Sequence, residues 1–295
     1  MIKNKVKKLA LVIATFGIVS GSSLAATPEE TYKEALQYSN QHADGTYTFD
    51  IHMEMPFIGS AKVTSVAQFR AKPYEMKADT TLSTQFPGKE MTKGFQSYQR
   101  QEGKSLLMYY PAPNEKEWYV YTIPLDSDAP YADTVLEKSH DNVMSGVKSV
   151  KELGQNRYRV VYDMTKLYKP GDEKKWKGMK KEDVAAAIKV LKALQAQGDF
   201  KAIVTIDPKT KRITNVSAPF TPQMKAVMGV LFDELRRQMP NKSREMNMLQ
   251  AFFDNSDIDF EMTWKELPKD ADLTVPKEIT EKAKQTKRAP LIFIK

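Results

Sequence analysis

Cysteine is absent from all 295 residues. Its absence excludes disulfide stapling, thiolate metal sites and a cysteine acceptor for a lipid anchor, so stability must rest on a packed core. Histidine is scarce: His42, His52 and His140 are scattered, and none belongs to a His-Glu-x-x-His pattern. Neither a Gly-x-Ser-x-Gly elbow nor a P-loop occurs, which removes familiar hydrolase and nucleotide-handling signatures. The carboxylates of DNSDID, Asp254 to Asp259, have loop-like spacing but lack the Gly and the later Glu of a calcium loop. The chain therefore reads as a non-enzyme, with no catalytic residue, no metal and no cofactor.

Apolar runs are also short. LALVIATFGIV, the 11-residue run that follows the four lysines of MIKNKVKK, falls well below the roughly 20 residues needed to span a bilayer. With small residues in SSLA just after it, residues 1–25 read as a secretory signal cleaved after Ala25. The expected product is a soluble protein of the periplasm or cell envelope. Its formal charge is +8 for the whole chain, and removing Lys3, Lys5, Lys7 and Lys8 leaves +4. So small an excess does not suit nucleic acid.

What the chain does have is alternation. TYTFDIHMEM sets Tyr47, Phe49, Ile51, Met53 and Met55 against Thr48, Asp50, His52 and Glu54, the period of a half-buried strand. YEMKADTTL sets Tyr74, Met76, Ala78, Thr80 and Leu82 against Glu75, Lys77, Asp79 and Thr81. KVTSVAQFRA, KGFQSYQRQ, SLLMYYP and EWYVYTI continue the series. Six strands without an intervening long helix predict an antiparallel meander. Further strands are expected in RYRVVYDM, with Tyr158 and Tyr162 on one face, in the hairpin FKAIVTIDPKTKRITNVSA, and in DIDFEMTW, with Phe260 and Met262 on one face.

Helices are expected in TPEETYKEALQYSNQ, capped by Thr27 with Pro28 at its first position, and in KKEDVAAAIKVLKALQAQG. TPQMKAVMGVLFDELRRQM, with a Thr221 cap, aligns Met224, Val227, Met228, Leu231 and Leu235, and SREMNMLQAFF forms one more helix. APYADTVLEK and DNVMSGVKSV read as short helices. The sum is one α+β domain of about ten strands.

This order of parts resembles the bacterial outer-membrane lipoprotein carrier superfamily, the LolA-like proteins. The resemblance lies in the signal and helix before TYTFDIHMEM, in AQFRAKPYEMKAD, in QEGKSLLMYYPAPNEKEWYVYTI and in AIVTIDPKTKRITNVSA. LTVPKEITEKAK is also similar to endings of exported relatives. It implies a strongly curved antiparallel sheet, an incomplete half β-barrel over residues 26–276 covered by amphipathic helices, with a C-terminal helix and tail at 277–295. It further implies a cavity for lipid or lipoprotein acyl chains, carried or sensed in the envelope by a monomer that also meets a membrane surface or envelope proteins. Phe49, Ile51, Met53, Tyr74, Met76 and Leu82 are the expected lining, extended by Tyr158, Tyr162, Phe260 and Met262. Met224, Met228 and Leu231 would form the lid. In the carriers an Arg before the corner Pro latches the lid; here Lys72 precedes Pro73, and Lys lacks the bidentate fork.

The same alternating faces are equally what an ordinary filled core requires, in which case the fold is a scaffold for protein interaction or sensing. Between Lys166 and Lys181, KLYKPGDEKKWKGMKK reads either as a loop touching anionic headgroups or as a solvated loop. RAPLIFIK at the C-terminus is apolar enough to add an edge strand or fill a groove.

Overall fold

Thr27 starts the first helix with a reciprocal cap. In the computed structural model, which describes residues 26–56, 59–112, 117–125, 132, 143–167, 169–171 and 181–286, Thr27 Oγ1 accepts the Glu30 N–H at 3.3 Å and Glu30 Oε2 accepts the Thr27 N–H at 2.8 Å. Helix α1 (Pro28–Gln41) then buries Tyr32, Ala35, Leu36 and Ser39 along one stripe. The expected signal, residues 168 and 172–180 of the lysine-rich stretch with Tyr168, Trp176 and Met179, and RAPLIFIK lie outside the described residues.

Two antiparallel meanders follow. The first comprises β1 (Gly45–Met55), β2 (Gly59–Arg70), β3 (Glu75–Phe86), β4 (Lys89–Glu102), β5 (Ser105–Pro111) and β6 (Trp118–Pro124). The second comprises β7 (Val147–Gly154), β8 (Arg157–Asp163), β9 (Asp199–Ile206), β10 (Ile213–Pro219) and β11 (Asp257–Lys265). Helix α2 (Lys181–Gln195) joins β8 to β9, and α3 (Thr221–Gln238) with α4 (Ser243–Asp254) joins β10 to β11. Strand β11 pairs with β1, so the two meanders form one sheet. After helix α5 (Lys277–Lys282), β12 (Lys284–Thr286) lies parallel to β6. The result is an open twelve-stranded sheet in the order β12-β6-β5-β4-β3-β2-β1-β11-β10-β9-β8-β7.

The two strands beyond the expected ten have separate explanations. Val147–Gly154, part of which reads as helix in the sequence, is an edge strand whose pairing with β8 shifts register between Val147 and Ser149 and again between Glu152 and Gly154. Those irregularities spoil its alternation. Among the described residues of that stretch, 143–146 are helical and the rest are strand. Strand β12 spans three residues, too few for any period.

Register fixes which side chains share a face. Phe49 stands opposite Ser65 and Met262, and Ser65 stands opposite Thr80. On this helix face lies the main core: Tyr32 and Leu36 of α1, Val160, Phe200, Val204, Val216 and Phe260 of the strands, Leu194 of α2 and Val227 of α3. The opposite face carries a second, smaller core, in which Val275 and Ile279 cover Tyr98 and Tyr109 with Leu107, Trp118 and Val120 at the rim. The residues after β11 therefore cross the far side of the sheet. Thr221 is the first residue of α3 and not its cap; its hydroxyl accepts the Ile258 N–H at 2.7 Å and ties the helix to β11.

Ile258 has no exposed surface. Ile258→Ala is expected to lower the unfolding free energy by about 2–5 kcal/mol through lost burial and an unfilled cavity. Urea denaturation followed by circular dichroism would check this, and a loss below about 1 kcal/mol would contradict the packing described.

Candidate functional site

The helices are distributed unequally over their face of the sheet. Tyr32, Leu36, Val190, Leu194 and Val227 all pack with residues of β8 to β11, and Tyr47, Phe49 and Ile51 of β1 adjoin that cluster. The same face continues across β2, β3 and β4, where no residue belongs to the main core.

That continuation has a distinctive relief. Across β2 and β3 the cross-strand pairs run Val63 with Leu82, Ser65 with Thr80, Ala67 with Ala78, and Phe69 with Met76. Small side chains thus occupy the middle, and Ala67, Ala78 and Thr80 sit low and buried between taller neighbours. Ser65 and Thr80 satisfy each other, their hydroxyl oxygens 2.9 Å apart. At one end Phe69 meets the edge of Tyr74 at 5.4 Å between ring centres, and Tyr74 donates to Gln99 Oε1 at 3.1 Å. At the other end Val63, Leu82 and Met53 are half-buried. Alternation along the chain is therefore matched by a trough across it: a small-residue floor with larger apolar walls.

The expected lining residues divide into two sets. Met53, Tyr74, Met76 and Leu82 are half-buried along the trough, while Phe49 and Ile51 lie at its border with the main core. Tyr158, Tyr162, Phe260 and Met262 belong to that core. Tyr162 Oη is 2.6 Å from Tyr32 Oη, its ring stacks on Phe200, and Phe260 packs on Phe220. On α3, Leu231 packs against the core, whereas Met224 and Met228 are half-buried outside it. Lys72 is exposed in the turn between β2 and β3, where the Lys72–Pro73 peptide is cis. Two residues earlier, Arg70 binds Glu75 at 2.6 Å and reaches the Ala271 carbonyl at 3.4 Å, so the arginine of this corner holds the C-terminal segment.

A polar cluster closes the Gly45 end of β1. Arg212, 5% exposed, donates to the His42 carbonyl at the end of α1 and lies 3.5 Å over the Trp264 ring. Tyr47 donates to the Ala43 carbonyl at 2.7 Å. A Cβ at Gly45 would stand 1.9 Å from Trp264 Nε1, so only glycine allows the chain to pass the indole. Burial lowers the Arg212 pKa, with Tyr47 opposing that shift, and burial of its hydroxyl pushes Tyr47 up to about 12 against the pull of Arg212. The Tyr32 and Tyr162 hydroxyls are also raised, chiefly by desolvation. No local pattern announces this cluster, because residues 42–47, 212 and 264 are brought together by the end of α1 and the pairing of β1, β11 and β10.

Opposite the helix face, β1 and β11 align Asp50 with Glu261, His52 with Asp259 and Glu54 with Asp257. Most of these side chains line a surface depression of about 400 Å³. Lys62 pairs with Asp50 at 3.0 Å and Asn215 donates to Glu261 at 2.6 Å. Among the described residues no group of three or more His, Cys, Asp or Glu side chains is arranged to hold a metal ion.

No family model, curated protein or solved structure matches the chain.

The raised tyrosines fix a pH dependence. Unfolded tyrosine ionises near 10.0, but folded Tyr47 ionises near 12, so the folded state holds its proton more tightly. Its contribution is fully present below pH 10.0 and is lost as pH rises through about 12. Urea midpoints should be steady up to pH 10.0 and then fall, with phenolate absorbance appearing as the protein unfolds. A midpoint unchanged up to pH 12 would contradict it.

Proposed function

We propose that the protein is an exported binder of lipid or lipoprotein acyl chains, acting as a carrier or sensor in the bacterial envelope. In this reading the open sheet curves into a half-barrel, with β2 to β4 as the acyl-contacting part and α3, bearing Met224 and Met228, beside it. The observation that carries the reading is the trough itself. Its floor of Ala67, Ala78, Ser65 and Thr80 is made of small side chains, and its walls of Met53, Val63, Phe69, Met76 and Leu82 are apolar and half-buried. Met suits irregular apolar guests because its side chain is flexible and polarizable. Each methylene removed from water contributes roughly 0.8 kcal/mol, so a chain of a dozen offers a gross ~10 kcal/mol before association costs.

The mechanism is partition. An acyl chain leaves one membrane when the trough covers enough of its methylenes, and it departs when an acceptor covers them better. Specificity then comes from length and shape, since the floor presents only the Ser65 and Thr80 hydroxyls, which already satisfy each other.

A second reading, an interaction module with a filled interior, is favoured by the solid packing of Tyr158, Tyr162, Phe260 and Met262. Ligand content separates the two. Native mass spectrometry of the protein from its own envelope fraction should reveal a bound species lost on organic extraction. Leu82→Glu and Met76→Lys should each weaken uptake of a fluorescent fatty acid by about tenfold or more, since each places a charge against the chain, while circular dichroism stays unchanged. A protein free of bound species that takes up no acyl probe would sink the acyl reading and leave the interaction module.

A further inference from the structure

Six large apolar side chains among the described residues are substantially exposed: Phe86, Met91, Leu153, Met248, Leu249 and Phe252. Five of them lie at one end of the sheet. Register places the start of β11 there, because Asp257 pairs with Glu54, Glu54 with Ser60, Ser60 with Gln85 and Gln85 with Glu90. The β3–β4 hairpin that carries Phe86 and Met91 turns at this end. Helix α4 stops at Asp254, three residues before β11 begins, so Phe252 reaches it too. Met248 and Leu249 lie within about 9 Å of the helix end along the axis, at about 1.5 Å per residue. Leu153 is next to the β7–β8 turn, at the other end.

The five also share a face. Met91 pairs with Thr84, and Thr84 and Phe86 continue the row of Met76, Ala78, Thr80 and Leu82. That is the helix face, on which α3 and α4 lie. Helix α4 is fastened to α3 from its inner side: Phe253 meets Phe232 edge-on at 5.8 Å, and Arg236 binds Asn247 at 3.1 Å and Gln250 at 2.7 Å. Its outward stripe is then Met248, Leu249 and Phe252, exposed by 54%, 44% and 37%. Held to α3 by one face, the helix presents these side chains on the other, with Glu245 at the start of the same stripe.

We propose that this end, formed by the outward stripe of α4 and the tip of the β3–β4 hairpin, docks on a lipid bilayer by inserting these five side chains at the interface. Area argues against a second copy of the chain as occupant. The exposed apolar surface of five such side chains is on the order of 400 Å², about half the ~800 Å² per partner of a standard interface. Shape agrees, because the apolar groups project from two separate elements, whereas a bilayer interface accepts side chains one by one. Charge decides the kind of contact: Lys89 and Lys93 stand opposite Phe86 and Leu82 on this face, and the acidic Glu245 lies one turn before Met248 and Leu249 on α4, so the charges are mixed and insertion, not electrostatic attraction, drives it. The inference deepens the acyl reading, since the trough's Leu82 and Val63 open toward this same end.

The test is co-sedimentation of the whole protein with phosphatidylcholine vesicles. The wild type should bind, and should still bind in about 1 M salt, where the Debye length is about 3 Å. The double variants M248S/L249S and F86S/M91S should each partition about tenfold less or weaker still, with circular dichroism unchanged. No vesicle binding by the wild type, variants that bind as well as it does, or binding abolished by 1 M salt would each overturn the proposal. So would a concentration-dependent dimer in sedimentation velocity that the same variants abolish. Acyl-probe uptake measured without vesicles is a separate readout: vesicle binding without uptake supports this surface and removes the acyl reading, and uptake without vesicle binding does the reverse.

Discussion

The pairing of β1 with β11 is the constraint on which the rest of the structure depends. Thr46 to Glu54 align with Lys265 to Asp257 without a break, joining a strand near the start of the fold to one more than 200 residues later. Each meander alone would leave a long apolar edge beside β1 or β11, and unpaired edges of that kind invite association. Pairing them makes one sheet and sets its order. It also sends the first meander away from the seam and makes the second begin at the far edge and return.

From the seam follows the unequal use of the helix face. Among the described residues the long helices are α1 and those of the second meander, so their apolar stripes fall on β8 to β11 and on the border with β1. The first meander, built from short turns, brings no helix of its own. Its side chains on that face answer this locally by being small in the middle and flexible at the walls. A sheet covered evenly would show Ile and Phe at the positions held by Ala67, Ala78, Ser65 and Thr80.

Much of this was legible in the sequence, because period-2 patterns survive where pairing is regular. The six strands of the first meander, the Asp207 hairpin and the helices starting near Pro28 and Thr221 all announce themselves by alternation, caps or turn residues. The trough was half legible: Met76 and Leu82 on one face of β3 follow from alternation, but their neighbours Phe69 and Val63 follow only from register. Tyr158 and Phe260 could not be sorted by alternation, since an alternating face looks the same whether it meets a helix or a guest. Strand β7 was hidden by its bulges, although Gly154, Gln155 and Asn156, all with positive φ, form a hairpin turn whose Gly-Gln-Asn sequence could have exposed it. Arg212 was invisible for a different reason. Its partners, the His42 carbonyl and Trp264, are gathered by three strands and a helix end.

The C-terminal segment resolves the remaining asymmetry. Among the described residues the main helix-covered core does not extend over the inner face of β2 to β4, and the outer face of the first meander carries large side chains in Tyr98, Tyr109 and Trp118. Val275 and Ile279 cover that outer face, Arg70 holds the segment at Ala271, and β12 finishes the sheet against β6. The outer face of β4 to β6 is thus buttressed, and β2 is tied to the same segment through Arg70. Strand β4 is the one the two faces share: Tyr98 packs into the outer core, while Phe95 and Ser97 stand opposite Thr80 and Ala78 on the inner face.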